Sequence, residues 1–488
     1  MEDSVDGTTG SGRRAAAGRG RSRAGWRTRT TAATAGSLTL ALLAAGQLQG
    51  VAPASAATKP KTPPVSHPAP TTTSPSPSTG SGTASSTGPA TTATPTTPSR
   101  SKGPGAFEVD PPGRSGGPHH PLSLQVLGYD VNGSPMVTSS SPSGYTPATI
   151  KKYLGLSGTG SSQTIAIVDA YNDPTISSDL ATFDKQFGLS SPSSFKKVSQ
   201  TGSTSTLPAT DANWSLEISL DVEWAHAVAP SSPILLVEAS SSSLSDLDTA
   251  IDYAAKQTGV VVISNSWGTS GEISGETTLD SHCKLTKAVC VFSTGDAGYP
   301  GGYPAYSPYV VAVGGTTLNL STSSTGGVSV ASEAAWSGSG GGVSIYEAKP
   351  AYQAQVVATG RAIPDVSYDA DPSTGFAVYD STPYSGVSGW FQMGGTSAGA
   401  PQWSAIIAAA DQLRKSKSKA PLAAWNSTKS TFQTGPDLYG LTSGLADITA
   451  GAANGTCGSI CTPTVGYDTV TGLGSPRAGI DSALAAAA

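Results

Sequence analysis

The chain is short of charge, of histidine and of long apolar runs. Charged residues are 12% of its 488 positions, and where they are missing matters more than the total. No Lys or Arg occurs between Lys197 and Lys256, between Lys287 and Lys349, or between Arg361 and Arg414. Carboxylates in those windows have no sequence-local cation to hold them ionised. A chain with few ion pairs tolerates acid better, because fewer native carboxylates resist protonation. Beyond Tyr145 the histidines are His226 and His282, so chemistry built on an imidazole base has few candidates. The apolar run from about Leu38 to Ala45 is too short to cross a bilayer, which takes about 20 residues.

What is present divides the chain in three. Residues 1–57 combine an Arg-rich start, that short apolar run and the small residues Ala54-Ser55-Ala56, the pattern of a secretory signal with a long basic n-region. Arg13-Arg14 lies too far upstream of the apolar run for a twin-Arg signal. A basic patch for nucleic acid is the competing reading, and the adjoining apolar run favours export. Residues 58–144 are dominated by Pro, Thr, Ser and Gly. They bury too little apolar surface to offset their ordering entropy, which predicts a disordered linker and lead-in. The folded body is expected over 145–488, a size normal for one α/β domain with loop insertions. Its cysteines, Cys283, Cys290, Cys457 and Cys461, are even in number. In an exported chain this suggests two local disulfides, Cys283–Cys290 and Cys457–Cys461; a four-Cys zinc site lacks paired C-x-x-C spacing.

Through the body, β-branched runs alternate with amphipathic segments. Strands are predicted at Thr164–Val168, Ile234–Val237, Val260–Ile263, Ala288–Phe292 and Tyr309–Val313. Helices are predicted from Thr146-Pro147 to about Leu154 and over Ile176–Phe187, Trp214–Val228, Leu244–Lys256 and about Thr277–Lys287. Alternation of this kind implies a mostly parallel sheet with helices on both faces. Sites in such sheets lie beyond the carboxyl ends of the strands. Asp169, the turn Ser264–Gly268 and Asp296 all fall there. Residues 314–396 break the alternation with Gly-rich turns and short β segments, and the tail from 435 is loop-rich.

The stretch Gly395-Thr396-Ser397-Ala398-Gly399-Ala400-Pro401 presents one Ser between small residues that let a substrate backbone approach. The apolar run Trp403–Ala410 follows as a helix whose N-terminus favours a developing anion near the hydroxyl. A Ser-capped helix start is the plainer alternative. A nucleophilic Ser needs a base, and the base needs an orienting partner. His226 with Asp169 offers a Ser-His-Asp set that would work near neutrality. Glu217 and Asp221 offer another: at i and i+4 they share one helix face. His226, nine positions from Glu217 at about 100° per residue, takes the opposite face. Two neighbouring acids without a cation repel, so one keeps its proton to higher pH. Asp296, at a strand end, can donate to an oxyanion when protonated.

Taken together, GGTSAGAP (394–401), LEISLDVEWAHAVAP (216–230), STGDAGYP (293–300), SGGGVS (339–344) and PDVSYDADP (364–372) resemble the sedolisin family of serine-carboxyl peptidases, across essentially the whole of 145–488. The resemblance implies a subtilisin-like fold and a secreted, monomeric endopeptidase. It would cut proteins or peptides in acid, with no nucleic acid partner and no stable membrane insertion. Ser397 would be the nucleophile, Glu217 the general base and acid, Asp221 its partner and Asp296 the oxyanion-hole acid. Asp169, where relatives often carry Glu, would extend the proton network. The resemblance also implies one Ca2+, held by Asp447 and Asp468 and by carbonyls of Ile448, Thr464 and Gly466, an all-oxygen set suited to that ion. Relatives usually carry a long folded prodomain where this chain has its Pro/Thr/Ser-rich stretch. A catalytically silent homologue that binds peptides in the same cleft is the alternative outside enzymes.

Overall fold

Side-chain alternation along the strands sorts the body into two cores. The structure, a computed structural model, describes residues 107–109, 124–126 and 141–487; the expected signal and most of the linker lie outside the described residues. Seven strands form one parallel sheet: β3 (Thr164–Ala170), β4 (Phe195–Ser199), β5 (Ile234–Ala239), β6 (Val260–Asn265), β7 (Val289–Ser293), β8 (Val310–Thr322) and β12 (Val366–Asp369). Their order across the sheet is β12-β8-β7-β6-β3-β5-β4. The distal half of β8 also pairs antiparallel with β9 (Val328–Ala335). Ile165 and Ile167 of β3, Val289 and Val291 of β7, and Val311 and Val313 of β8 join one core. Their neighbours Ala166, Val168, Cys290, Phe292, Val310 and Ala312 join the other. A period of two therefore decides which face each side chain serves.

The first face carries two helices. α3 (Ala212–Val228) is capped by Asp211, whose side chain accepts from the amides of Asn213 and Trp214. α5 (Thr396–Ser416) buries Trp403, Ile406 and Ile407 against the sheet, each contributing about 1.5–3 kcal/mol by removal from water. The opposite face carries α4 (Leu244–Ala255), which packs Leu247, Ala250, Ile251 and Ala254 against the second core. Helices α1 (Pro147–Leu154) and α2 (Ile176–Phe187) follow the predicted bounds, each ending at a left-handed Gly, Gly155 and Gly188. A hairpin of β13 (Phe376–Tyr384) and β14 (Val387–Met393) covers α3, with Trp224 Nε1 donating to Ala377 O at 2.9 Å. Two short strands in the lead-in, β1 (Phe107–Val109) and β2 (Leu124–Val126), pair with each other, and β2 pairs with β14 at Met393.

The sequence does not announce β4, and two further elements need correction here. The helix expected over Thr277–Lys287 is instead two 3-10 turns, Glu276–Thr278 and Asp280–His282. Glu276 turns its carboxylate back onto Ile273 N at 2.7 Å, and the disulfide Cys283–Cys290 holds the next residues to β7. The strand expected to end at Val313 runs on to Thr322. Both expected disulfides are present, with Cα–Cα separations of 5.8 Å for Cys283–Cys290 and 5.4 Å for Cys457–Cys461. Among the described residues no helix is long and apolar enough to cross a membrane.

Candidate active site

Asp169 belongs to the face of β3 that α3 covers, because it continues the alternation of Ile165 and Ile167. α3 is buried all round from Trp214 to Val228, so its acids have no solvated face to retreat to. Glu217 and Asp221 lie fully buried on the side that meets Asp169 and the start of α5. Burial, then the Asp169 charge, pushes both well above the ordinary carboxylate range; Asp221 also feels Glu217, and Glu217 feels Asp296. The hydroxyls of Ser397 and Ser266 act in the other sense on Glu217. Ser397 is therefore a neighbour of Glu217, although neither Ser397 Oγ nor either Glu217 oxygen closes a hydrogen bond. Asp169 is pushed up to about 8 by burial and by Glu238, and its two oxygens accept no hydrogen bond. The short side chain thus acts on Glu217 through charge.

Ser397 sits in the first turn of α5, which begins at Thr396, not after the small residues as the apolar run suggested. Pro401 lies inside that helix. It has no N–H to give the carbonyl four residues earlier, which is that of Ser397. Ser266 Oγ reaches that carbonyl at 3.3 Å and both Asp221 oxygens at 2.9 and 2.8 Å. One hydroxyl therefore joins the nucleophile's backbone to the acid behind the base. A protonated Asp221 would donate to Ser266 Oγ, leaving the Ser266 proton for the Ser397 carbonyl.

Asp296 is placed by the same helix start. Its Oδ1 accepts from Thr396 N at 2.7 Å and Thr396 Oγ1 at 2.8 Å, and Thr396 Oγ1 accepts from Gly295 N at 3.1 Å. Gly395 makes room for the other oxygen: its φ is +94°, and a Cβ there would stand 2.5 Å from Asp296 Oδ2. No side chain satisfies both demands. The remaining motifs are buttresses. Gly395 N donates to Ala370 O at 2.6 Å, and Trp403 Nε1 to Ser367 O at 3.1 Å. Gly340 packs so tightly on the strand end before Asp296 that a Cβ would fall 2.1 Å from Thr294 O.

His226 is not part of this group. Its Nε2 lies 3.0 Å from Ser190 O and 3.1 Å from Asp184 Oδ1 of α2, on the far side of α3 as the nine-residue spacing predicted. Asp169, its would-be orienting partner, makes no bond to it. Sequence reasoning passed over Ser266 and Thr396, which hold the two outer acids. Only the position of the Ser264–Gly268 turn at a strand end pointed towards Ser266.

The expected calcium residues also come together. Gly466 N donates to Asp447 Oδ2 at 2.8 Å, and Thr464 N to Asp468 Oδ2 at 2.9 Å. Thr471 Oγ1 spans Asp468 Oδ1 at 3.2 Å and Ile448 O at 3.5 Å. Among the described residues no Lys or Arg pairs with either carboxylate. The all-oxygen donor set, with two acids that no side-chain cation neutralises, fits Ca2+.

Known proteins resemble this chain in sequence and in fold. The Subtilase family pattern matches residues 203–442. Kumamolisin of Bacillus sp. (strain MN-32) is 30% identical over 374 residues, covering 69% of this chain and 63% of the relative. Sedolisin of Pseudomonas sp. (strain 101) is 27% identical over 354 residues, covering 65% of this chain and 57% of the relative. The chain therefore spans about three-fifths of the length of these relatives. Among solved structures, Pseudomonas sedolisin, a serine-carboxyl proteinase complexed with two molecules of pseudo-iodotyrostatin, aligns with a TM-score of 0.54 at 25% identity. It covers 69% of this chain and 96% of that one.

Proposed function

The chain belongs to the sedolisin family, within the subtilases, and from that premise we propose that it is a secreted endopeptidase that hydrolyses proteins and peptides in acid through an acyl-enzyme on Ser397. The observation that carries this reading is the meeting of Ser397 with a buried, cation-free pair of acids, Glu217 and Asp221, and with Asp296 across the same helix start.

Glu217 in its ionised form takes the Ser397 proton as Oγ attacks the scissile carbonyl. The oxyanion that forms is held by the Ser397 amide, a first-turn N–H with no i−4 carbonyl to bond, and by the carboxyl of Asp296. A carboxyl donates only when protonated, so that half of the oxyanion hole works only while Asp296 keeps its proton. Protonated Glu217 then passes its proton to the leaving amine. In deacylation it accepts a proton from the attacking water. Asp221 and Asp169 shape the window. Repulsion means the acids lose protons stepwise as a group, and the site offers a base once the group carries its first negative charge. A Ca2+ held by Asp447, Asp468 and the carbonyls of Ile448, Thr464 and Gly466 would be structural, tying two C-terminal loops together. The two local disulfides suit a secreted enzyme, which we take to act as a monomer.

The test is casein cleavage over an acidic pH series that reaches the first ionisation of the Glu217 group, by Ser397→Ala, Glu217→Ala and Asp296→Ala. Each should fall far below wild type, and a peptide aldehyde should label the wild-type protein. Near-wild-type cleavage by all three variants would refute the mechanism. Tight peptide binding without cleavage at any pH would instead make the chain a binding protein.

A further inference from the structure

A second group of acids meets where the β3–α2 loop, α2, α3 and β13 come together. Asp173, Asp179 and Asp380 are buried, and one carboxylate oxygen from each lies within 4.8 Å of the others. Glu223 of α3 faces the same group: the charges that bear on it are those of Asp179, Asp380 and Asp173. Backbone and hydroxyl donors fix the four carboxylates. Asp173 Oδ1 accepts from Thr175 N at 2.8 Å and Thr175 Oγ1 at 3.0 Å. Asp179 accepts from Ser381 N at 2.9 Å and Ser381 Oγ at 2.7 Å. Asp380 Oδ1 accepts from Thr382 N at 2.7 Å, and Glu223 Oε2 from Tyr379 N at 3.0 Å.

With Ser219 Oγ donating to Asp173 Oδ2 as well, two oxygens are left over. Glu223 Oε1 and Asp380 Oδ2 have no partner, in residues that are wholly buried. The lysine that bears on the group, Lys197, is already engaged: its Nζ lies 2.5 Å from the Asp173 carbonyl, 2.7 Å from Asn172 Oδ1 and 3.5 Å from Glu238 Oε1. Four acids against one shared amine do not make an ion-pair network. Such acids need a cation to remain buried and charged. Among the described residues the group offers carboxylate oxygens and no His or Cys ligand, so the softer metals are poorly served. Ser219 Oγ, 3.3 Å from Asp173 Oδ2, and Thr382 Oγ1, 3.5 Å from Asp173 Oδ1, supply further oxygens.

We propose that Asp173, Asp179, Glu223 and Asp380 bind a divalent cation of the calcium class, at a site separate from the Asp447–Asp468 loops. Calcium takes six to eight oxygens in flexible geometry, which an irregular set drawn from a loop, two helices and a strand can provide. The ion would tie α2 and the β13–β14 hairpin to α3, the helix that carries Glu217 and Asp221.

The experiment is metal analysis of the full chain at pH 7, after chelation and re-equilibration with Ca2+, together with thermal midpoints with and without the ion. Asp380→Asn and Glu223→Gln keep the volume and a carbonyl that can still accept from Thr382 N and Tyr379 N. The wild type should hold one more Ca2+ per chain than either variant, and both should lose most of the Ca2+-dependent rise in midpoint that this site supplies. Asp468→Asn should remove a different ion, additively with Asp380→Asn. The proposal is overturned if the two variants bind as much Ca2+ as the wild type. It is equally overturned if they are more stable than the wild type and Ca2+ leaves that gain unchanged, since the cluster would then be mere repulsion. The Asp468→Asn arm reports on the loop site separately, so failure of one site is distinguishable from failure of the other.

Discussion

Asp365 and Glu217 are both buried carboxylates in this domain, and their surroundings differ in every other respect. Asp365 faces Arg361 in a two-pronged pair at 2.7 and 2.6 Å, accepts from Tyr439 Oη at 2.9 Å, and accepts from Ala312 N at 2.9 Å. Glu217 has no cation, no hydrogen bond, and acids for neighbours. The first arrangement locks the end of β12 to β8 and offers nothing to a substrate. The second leaves a proton loosely assigned beside a serine hydroxyl. In this molecule a carboxylate whose charge is matched does structural work, and one left to share protons is available for chemistry.

The contrast breaks most sharply at the nucleophile. Ser397→Ala should lower peptide cleavage by about 10⁴-fold or more while leaving the thermal midpoint close to wild type. On the structural side, Arg361→Met strands Asp365 in the core and should cost about 3–5 kcal/mol, read by denaturant unfolding, with catalysis intact in whatever remains folded. Ser266→Ala sits between the two regimes. It removes the donor to Asp221 and to the Ser397 carbonyl at once, and should cost roughly 1–3 kcal/mol, visible in kcat more than in KM.

The remaining effect is pH-dependent stability. Asp169 has an ordinary value near 3.8 and is raised to about 8 in the fold. The folded state therefore holds this proton more tightly than the unfolded one. Its contribution is full below about pH 4 and is lost as pH rises through about 8. Glu217 and Asp221 are shifted in the same direction. Midpoints measured from pH 4 to 8 should fall with rising pH, and Asp169→Asn should flatten that slope. A slope that the variant leaves unchanged would mean the acids carry less repulsion than the structure implies.

Much of this was legible from residue order, for a physical reason. Most strands and helices between 146 and 265 announce themselves because one core face demands a period of two or of 3.6, and Gly155 and Gly188 mark helix ends that only their backbone freedom allows. β4 does not, since Lys196 and Lys197 interrupt its apolar pattern and only Val198 and Ser199 are buried. The pairing of Glu217 with Asp221, and the exile of His226, follow from helix geometry alone. Other features were hidden. α5 starts at Thr396 even though Gly399 and Pro401 are poor helix formers, because tertiary burial outweighs local propensity. Ser266 and Thr396 are single hydroxyls in a Ser- and Thr-rich chain, and nothing in their spacing sets them apart until Asp221 and Asp296 are placed beside them. The Asp173, Asp179, Glu223 and Asp380 group joins residues from four elements, so no local window contains it.

The central claim is that carboxylates, and no histidine, set the chemistry of Ser397. It is tested most directly by the pH profile of casein cleavage, wild type beside Glu217→Gln. Wild-type activity should extend below pH 6, where an imidazole base would already be protonated, and should be almost wholly lost in Glu217→Gln across the whole range. A profile that rises through pH 6–7, survives Glu217→Gln and is abolished by His226→Ala would contradict it.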